Sequence, residues 1–114
     1  MSKTVRLYHW ASCSSCREAR DSLTAAGQRV ELRDFFAEPL DSAELLRLTR
    51  LAGGPRALFS FHSPSFRKLG RPADSFADEE LLELMAAEPR FLRRPLLVDG
   101  GRVVIGLAAI RAAV

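Results

Sequence analysis

The stretch Thr4-Val5-Arg6-Leu7-Tyr8-His9-Trp10-Ala11-Ser12-Cys13-Ser14-Ser15-Cys16-Arg17 decides the fold. Across Thr4 to His9, Val5 and Leu7 alternate with charged or polar neighbours, the two-residue period of a β-strand. Beyond it, Cys16, Ala19, Leu23 and Ala26 recur at steps of three and four, which puts them on one face of an α-helix. Gly27 then supplies the left-handed stop expected just past a helix end. Arg29 to Arg33 alternates again, with Val30 and Leu32 facing one way. Strand, helix and strand over about 30 residues predict a βαβ unit with parallel strands and a right-handed crossover.

Cys13 and Cys16 are the only cysteines in the chain, and they fall at the junction of that strand and helix. A thiolate at a helix N-terminus meets the positive end of the dipole and backbone N–H groups without helical partners. Its pKa can fall from about 8.5 toward or below neutrality, the usual requirement for a reactive cysteine. Cys13 has the exposed position at the helix start and reads as the nucleophile. Cys16 lies one turn inside, facing inward, and reads as the resolving thiol that closes a disulfide. The rival reading is metal binding, because Cys-x-x-Cys is half of many zinc sites. Two further ligands would be required, and the histidines are His9 and His62, with no second Cys-x-x-Cys pair. Redox chemistry is therefore the preferred reading, with no metal expected.

Working outward, Asp41 and Glu44 resemble a capping box, and Leu45, Leu48 and Leu51 continue as a helix until Gly53-Gly54-Pro55. Arg56 to Arg71, rich in Ser, Pro and Phe, reads as short helical turns and loop. Ser75 to Glu88 reads as a further helix, acidic in its early turns, with Leu81, Leu84 and Met85 on one face and Pro89 closing it. Together these form a helical insertion at about 41–90. Pro95 to Val98 is then a short apolar strand, Asp99-Gly100-Gly101 a hairpin turn and Arg102 to Ile105 its partner. Gly106 to Val114 ends the chain as an alanine-rich helix. The order βαβ, helical insertion, ββα predicts an α/β, thioredoxin-like fold with a mixed four-stranded sheet, and a single domain over 1–114.

Composition sets the outer bounds. At 114 residues, 47% hydrophobic and 27% charged, the chain reads as an ordinary soluble protein. No apolar run reaches the roughly 18 residues of a membrane span. Met1 to Arg6 runs straight into the first strand without a signal-peptide core, so a cytoplasmic location is expected. There, a close thiol pair is catalytic or metal-binding more often than structural. The net charge of +3 suits an anionic partner such as an oxyanion, glutathione or an acidic protein surface. A slightly basic soluble enzyme is the preferred account of that charge, and no basic stripe interleaved with aromatics calls for nucleic acid.

Five residues outside the cysteine pair draw attention. His9, at the end of the first strand, can donate to a thiolate or stabilise it as imidazolium, or be a solvent-facing strand end. Arg17 either adds positive potential at the thiols or is a surface arginine of the helix. Arg94-Pro95 precedes a strand, the expected place for a cis peptide bond facing the active cysteine, and would carry Arg94 to the site. Arg93 is its neighbour on the same turn.

These features come together in a resemblance. Tyr8-His9 before Cys13, Cys13-Ser14-Ser15-Cys16-Arg17, Glu38-Pro39-Leu40, Arg56-Ala57-Leu58, Phe66-Arg67-Lys68-Leu69 and Arg93-Arg94-Pro95-Leu96-Leu97-Val98 make the chain similar, over nearly its whole length, to the ArsC/Spx family. That family groups arsenate reductases with Spx, a thiol-sensing transcription regulator. The resemblance implies an ArsC-like thiol–disulfide oxidoreductase with catalytic Cys13 and Cys16, thiolate-tuning or anion-binding His9, Arg17 and Arg94, and Pro95 as the cis-proline. It implies no bound cofactor, and glutathione, glutaredoxin or thioredoxin as electron donor. On the arsenate side, two arginines of the family's oxyanion site are replaced here by Ser60 and by the aliphatic Val103-Val104-Ile105. An oxyanion in a partly dry pocket needs several fixed cations, so their loss argues against efficient arsenate reduction. On the regulator side, Gly54 matches the glycine of the surface that contacts the C-terminal domain of the RNA polymerase α-subunit, and the arginine expected nearby falls on His62. Gly54 also reads simply as a helix stop. The expected partners are thus a thiol reductant system, a small oxyanion or the polymerase α-subunit, with no direct nucleic acid and no membrane.

Overall fold

Strand β1, Thr4–His9, carries Val5, Leu7 and Tyr8 into the interior and pairs on both edges. On one side it runs parallel to β2, Arg29–Asp34, in a register that sets Leu7 opposite Leu32 and His9 opposite Asp34. On the other it is antiparallel to β3, Leu96–Asp99, which in turn pairs antiparallel with β4, Arg102–Ile105. The sheet order is β2-β1-β3-β4, mixed and four-stranded as the sequence predicts. The computed structural model describes residues 4–114, so Met1, Ser2 and Lys3, the start of the predicted leaderless N-terminus, lie outside it. Two units are resolved by their internal contacts. One runs to Glu38 and resumes over Arg94–Val114, and the other is Pro39–Arg93, which contains the insertion read at about 41–90.

In the first unit, helix α1, Ser14–Ala25, turns Cys16, Ala19 and Leu23 inward. Its Ala19 and Leu23 join Val5, Leu7, Leu97 and Ile110 in one apolar cluster, with Val30, Val104 and Leu107 packed against it. Ile110 and Leu107 come from the C-terminal helix, Leu107–Ala113, so two helices close over the sheet. Burial of this kind is worth about 1.5–3 kcal/mol per large side chain and dominates the stability of the unit. Helix α1 ends in a Schellman motif: Gly27 takes φ 81°, its N–H donates to Thr24 O and the Gln28 N–H donates to Leu23 O. Two details of the sequence reading change here. Ala26 is the exposed C-terminal cap rather than a core position, because the helix face ends with Leu23. Leu32 is 48% exposed: alternation gives it the same face as Val30, but β2 is an edge strand and, among the described residues, that end is left open.

The second unit is helical. Helix α2, Ser42–Ala52, is capped by Asp41, whose carboxylate accepts the Glu44 N–H at 2.8 Å. Leu45 and Leu48 are buried, whereas Leu51, expected on the same face, is exposed. Gly53, at φ 83°, ends the helix, and the Gly54 N–H donates back to Thr49 O. Two short helices follow, α3 at Pro55–Leu58 and α4 at Pro64–Arg67, each opened by a proline at its first turn. Helix α5 covers Asp78–Ala87, three residues later than the Ser75 start read from the pattern. Ala73–Ser75 is a separate 3₁₀ turn, and the Glu80 carboxylate accepts the Ala77 N–H at 3.0 Å to start α5. Leu81 and Met85 are buried and Leu84 half-buried. The centre of this unit is a run of ring contacts among Phe59, Phe61, Phe66, Phe76 and Phe91. Backbone bonds tie its ends together: Ser60 N–H to Phe91 O at 2.7 Å and Arg93 N–H to Leu58 O at 2.8 Å.

Candidate functional site

Cys13 is the N-cap of α1, with extended backbone (φ −90°, ψ 119°). Its sulfur takes the role that a serine or aspartate oxygen usually plays, accepting the Cys16 N–H at 3.4 Å. The Cys13 N–H in turn donates to Trp10 O at 3.0 Å, closing the tight turn between β1 and the helix. Both thiols are reduced, Cys13 half-buried and Cys16 at 1% exposure. Burial pushes the Cys16 thiol up to about 12, helped by its hydrogen bond to the Cys13 sulfur and by that neighbour's charge. The Trp10 backbone and the Arg94 charge pull the other way. The pair is thus asymmetric: an accessible sulfur aimed at by donors, and a shielded thiol that keeps its proton.

Arg94 stands two residues ahead of β3. The Arg94–Pro95 peptide is cis, Pro95 is buried, and its carbonyl accepts the Gly106 N–H at 2.9 Å. The Arg94 guanidinium carbon lies 5.5 Å from the Trp10 ring centroid and 5.1 Å from that of Phe36. Those two rings stack on each other at 4.3 Å with a 15° interplanar angle. A guanidinium over aromatic faces at this range is held by cation–π attraction. Arg17 sits one residue beyond Cys16 and donates to Ala11 O at 3.0 Å, bracing the turn from the exposed side of α1.

His9 is half-buried, and its charged neighbours are Asp34 and Arg20. Burial holds its imidazole below the ordinary histidine range, Asp34 opposes this, and Arg20 adds to it. The neutral ring is therefore favoured over the imidazolium that the sequence reading considered. The structure also brings in three residues that sequence reasoning passed over: Asp34, Trp10 and Phe36. The Asp34 carboxylate accepts the Phe36 and Ala37 N–H groups at 2.9 and 3.0 Å and, with its other oxygen, the Ala11 N–H at 3.3 Å. Burial works against its charge, yet the three backbone donors and His9 hold it below the usual carboxylate range. An aspartate ending a strand ahead of a Phe-Phe-Ala turn was the available signal.

The remaining singled-out residues lie in the second unit. Gly54 is half-buried with φ 137° and open space around its Cα, and it serves as the junction between α2 and α3. Ser60 engages the turn through its backbone, accepting from the Ser63 hydroxyl at 3.0 Å, and His62 is exposed. Arg93 is exposed as well. Among the described residues no three His, Cys, Asp or Glu side chains converge as metal ligands, and no helix is long and apolar enough to cross a membrane.

Comparison with known proteins agrees with this geometry. A model described as the ArsC family matches residues 8–111. The global transcriptional regulator Spx of Listeria innocua is 36% identical over 103 residues, 90% of this chain and 79% of that protein. Its counterpart in Bacillus subtilis is 34% identical over the same shares. Among solved structures, an arsenate reductase from Vibrio cholerae superposes with a TM-score of 0.79 at 25% identity, covering 90% of this chain and 89% of that one. An arsenate reductase related protein from Brucella melitensis gives 0.77 at 28% identity over 93% and 88% of the two chains. The mixed sheet, the Cys13–Cys16 pair and these neighbours give the protein a thioredoxin-like fold of the arsenate-reductase type. The chain belongs to the ArsC family.

Proposed function

We propose that the protein is a thiol–disulfide oxidoreductase of the ArsC type, a single domain working through Cys13 and Cys16 in a reducing, cytoplasmic setting. The observation that carries this reading is the asymmetry of the pair, a half-exposed Cys13 sulfur at the start of α1 against a buried Cys16 thiol pushed up to about 12. The Cys13 thiolate attacks one sulfur of an oxidised partner disulfide, forming a mixed disulfide and releasing the first partner thiolate. Cys16 then gives up its proton to solvent and attacks the Cys13 sulfur, breaking the mixed disulfide, closing the Cys13–Cys16 disulfide and releasing the second thiolate. Two electrons pass from the protein to the partner, and an external thiol such as glutathione, glutaredoxin or thioredoxin returns them. Arg94 favours the Cys16 thiolate in the second step, and Arg17 and His9 line the turn that carries Cys13. Arsenate is a poor substrate on this account, because Ser60 and Val103-Val104-Ile105 stand where the resemblance places cations.

The test uses one equivalent of the aromatic disulfide dithiobis(nitrobenzoate). The wild type should release two nitrothiobenzoate anions per chain, the second at a rate independent of reagent concentration. Cys16→Ser should release one and retain the mixed disulfide. One anion from the wild type would defeat the proposal.

A second reading is favoured by the 33–36% identity to Spx regulators. On this reading the disulfide is a switch on binding to the C-terminal domain of the RNA polymerase α-subunit, with Gly54 at the contact. A pull-down with that domain, run on oxidised and reduced protein, decides it: absence of binding in both states removes the regulator reading.

A further inference from the structure

Three backbone N–H groups from two separate loops converge on one carboxylate, Asp34, which lies 18 positions beyond Cys16 in the chain. One oxygen takes both bonds from the 35–37 turn, and the other takes the bond from Ala11 in the turn that ends at Cys13. The tie brings Trp10 and Phe36 face to face, and Arg94 rests over both rings. Trp10 belongs to the site twice more, since its carbonyl accepts the Cys13 N–H and its backbone favours the Cys16 thiolate.

We propose that Asp34 is a positioning residue for the thiol pair, holding the Trp10–Phe36 stack and, through it, placing Arg94 beside the cysteines. The inference rests on the redox reading above. Asp34 touches neither sulfur; it acts by fixing which face of the aromatic stack the guanidinium occupies. The titratable side chain that faces its carboxylate is His9. Replacement by asparagine is informative because the amide keeps one acceptor oxygen for the Phe36 and Ala37 N–H groups. It also sets an N–H group against the Ala11 N–H, so the tie to the cysteine turn is lost together with the charge that faces His9. Moving the Arg94 cation away from Cys16 removes one of the two influences that favour its thiolate.

The experiment is the second nitrothiobenzoate release, which Cys16 performs. Asp34→Asn and Arg94→Gln should each slow it about threefold or more. If Asp34 acts through Arg94, the double variant should be within about twofold of either single one, the non-additivity of two residues in one chain of contacts. Phe36→Leu, which leaves every polar group in place, should reproduce the slowing. An Asp34→Asn or Phe36→Leu protein that reacts within about twofold of wild type overturns the proposal, as does a double variant slowed by the product of the two single effects. Should the wild type release only one anion, the redox reading fails on its own. Asp34 is then judged by ultraviolet thiolate absorbance in a Cys13→Ser background. Adding Asp34→Asn must raise the pH at which Cys16 ionises, and an unchanged midpoint refutes the positioning role.

Discussion

Replacing Cys13 by serine isolates the buried thiol and tests why the pair is asymmetric. With a pKa of about 12, Cys16 carries about one thiolate in 100,000 at pH 7, against about 3% for a free cysteine near 8.5. Burial is the largest cause, followed by the hydrogen bond to Cys13, with the Cys13 charge a smaller contribution. Cys13→Ser removes that neighbour's sulfur and charge and leaves the burial, at 1% exposure, untouched. Cys16 should therefore still ionise well above the ordinary range, at or above about pH 10. The assay is ultraviolet thiolate absorbance against pH on the folded variant. The Cys13→Ser/Cys16→Ser protein serves as baseline, because Tyr8, the single tyrosine, ionises in the same region. A midpoint below about pH 9 would refute the reasoning, since burial would then not be what holds the proton.

The same proton links to stability. The folded chain keeps a proton on Cys16 that the unfolded chain releases, so this contribution is complete below about pH 8.5 and is lost as pH rises toward 12, by about 1.4 kcal/mol per pH unit. Urea unfolding of reduced wild type against Cys16→Ala should show that extra alkaline slope only in the wild type. Leu23→Ala empties a fully buried site in the cluster with Leu7, Leu97 and Ile110, and should cost about 2–5 kcal/mol in the same measurement. Gly27→Ala meets no atom within 4 Å, but it forces a side chain into φ 81°, so a loss of about 1–2 kcal/mol is expected from backbone conformation alone.

What could be read from the sequence was whatever rests on local pattern. Strand Thr4–His9, the inward set Cys16, Ala19 and Leu23, the Asp41 cap and the Gly27 and Gly53 stops all act within a few residues, so their signals are contiguous. The cis Arg94–Pro95 bond was legible because a proline ahead of a strand has few other uses in such a fold. The misses depend on tertiary context. Whether Leu32 is covered depends on what packs over the end of an edge strand, and periodicity carries no word of that. The five-phenylalanine centre of Pro39–Arg93 has no helical or strand period, since its rings come from short turns and loops brought together only by folding. Asp34 was hidden for the same reason: its three partners are backbone groups, one of them 23 positions away, and backbone groups leave no trace in a sequence.

The most direct test of the central claim is the mass of the peptide Leu7–Arg17, which contains both cysteines, after equilibration of the native protein with mixtures of reduced and oxidised dithiothreitol. The account predicts reversible loss of two hydrogens within that peptide in a single two-electron transition, abolished in Cys16→Ser. A peptide that keeps both thiols, or that is found only in disulfide-linked dimers, would contradict it.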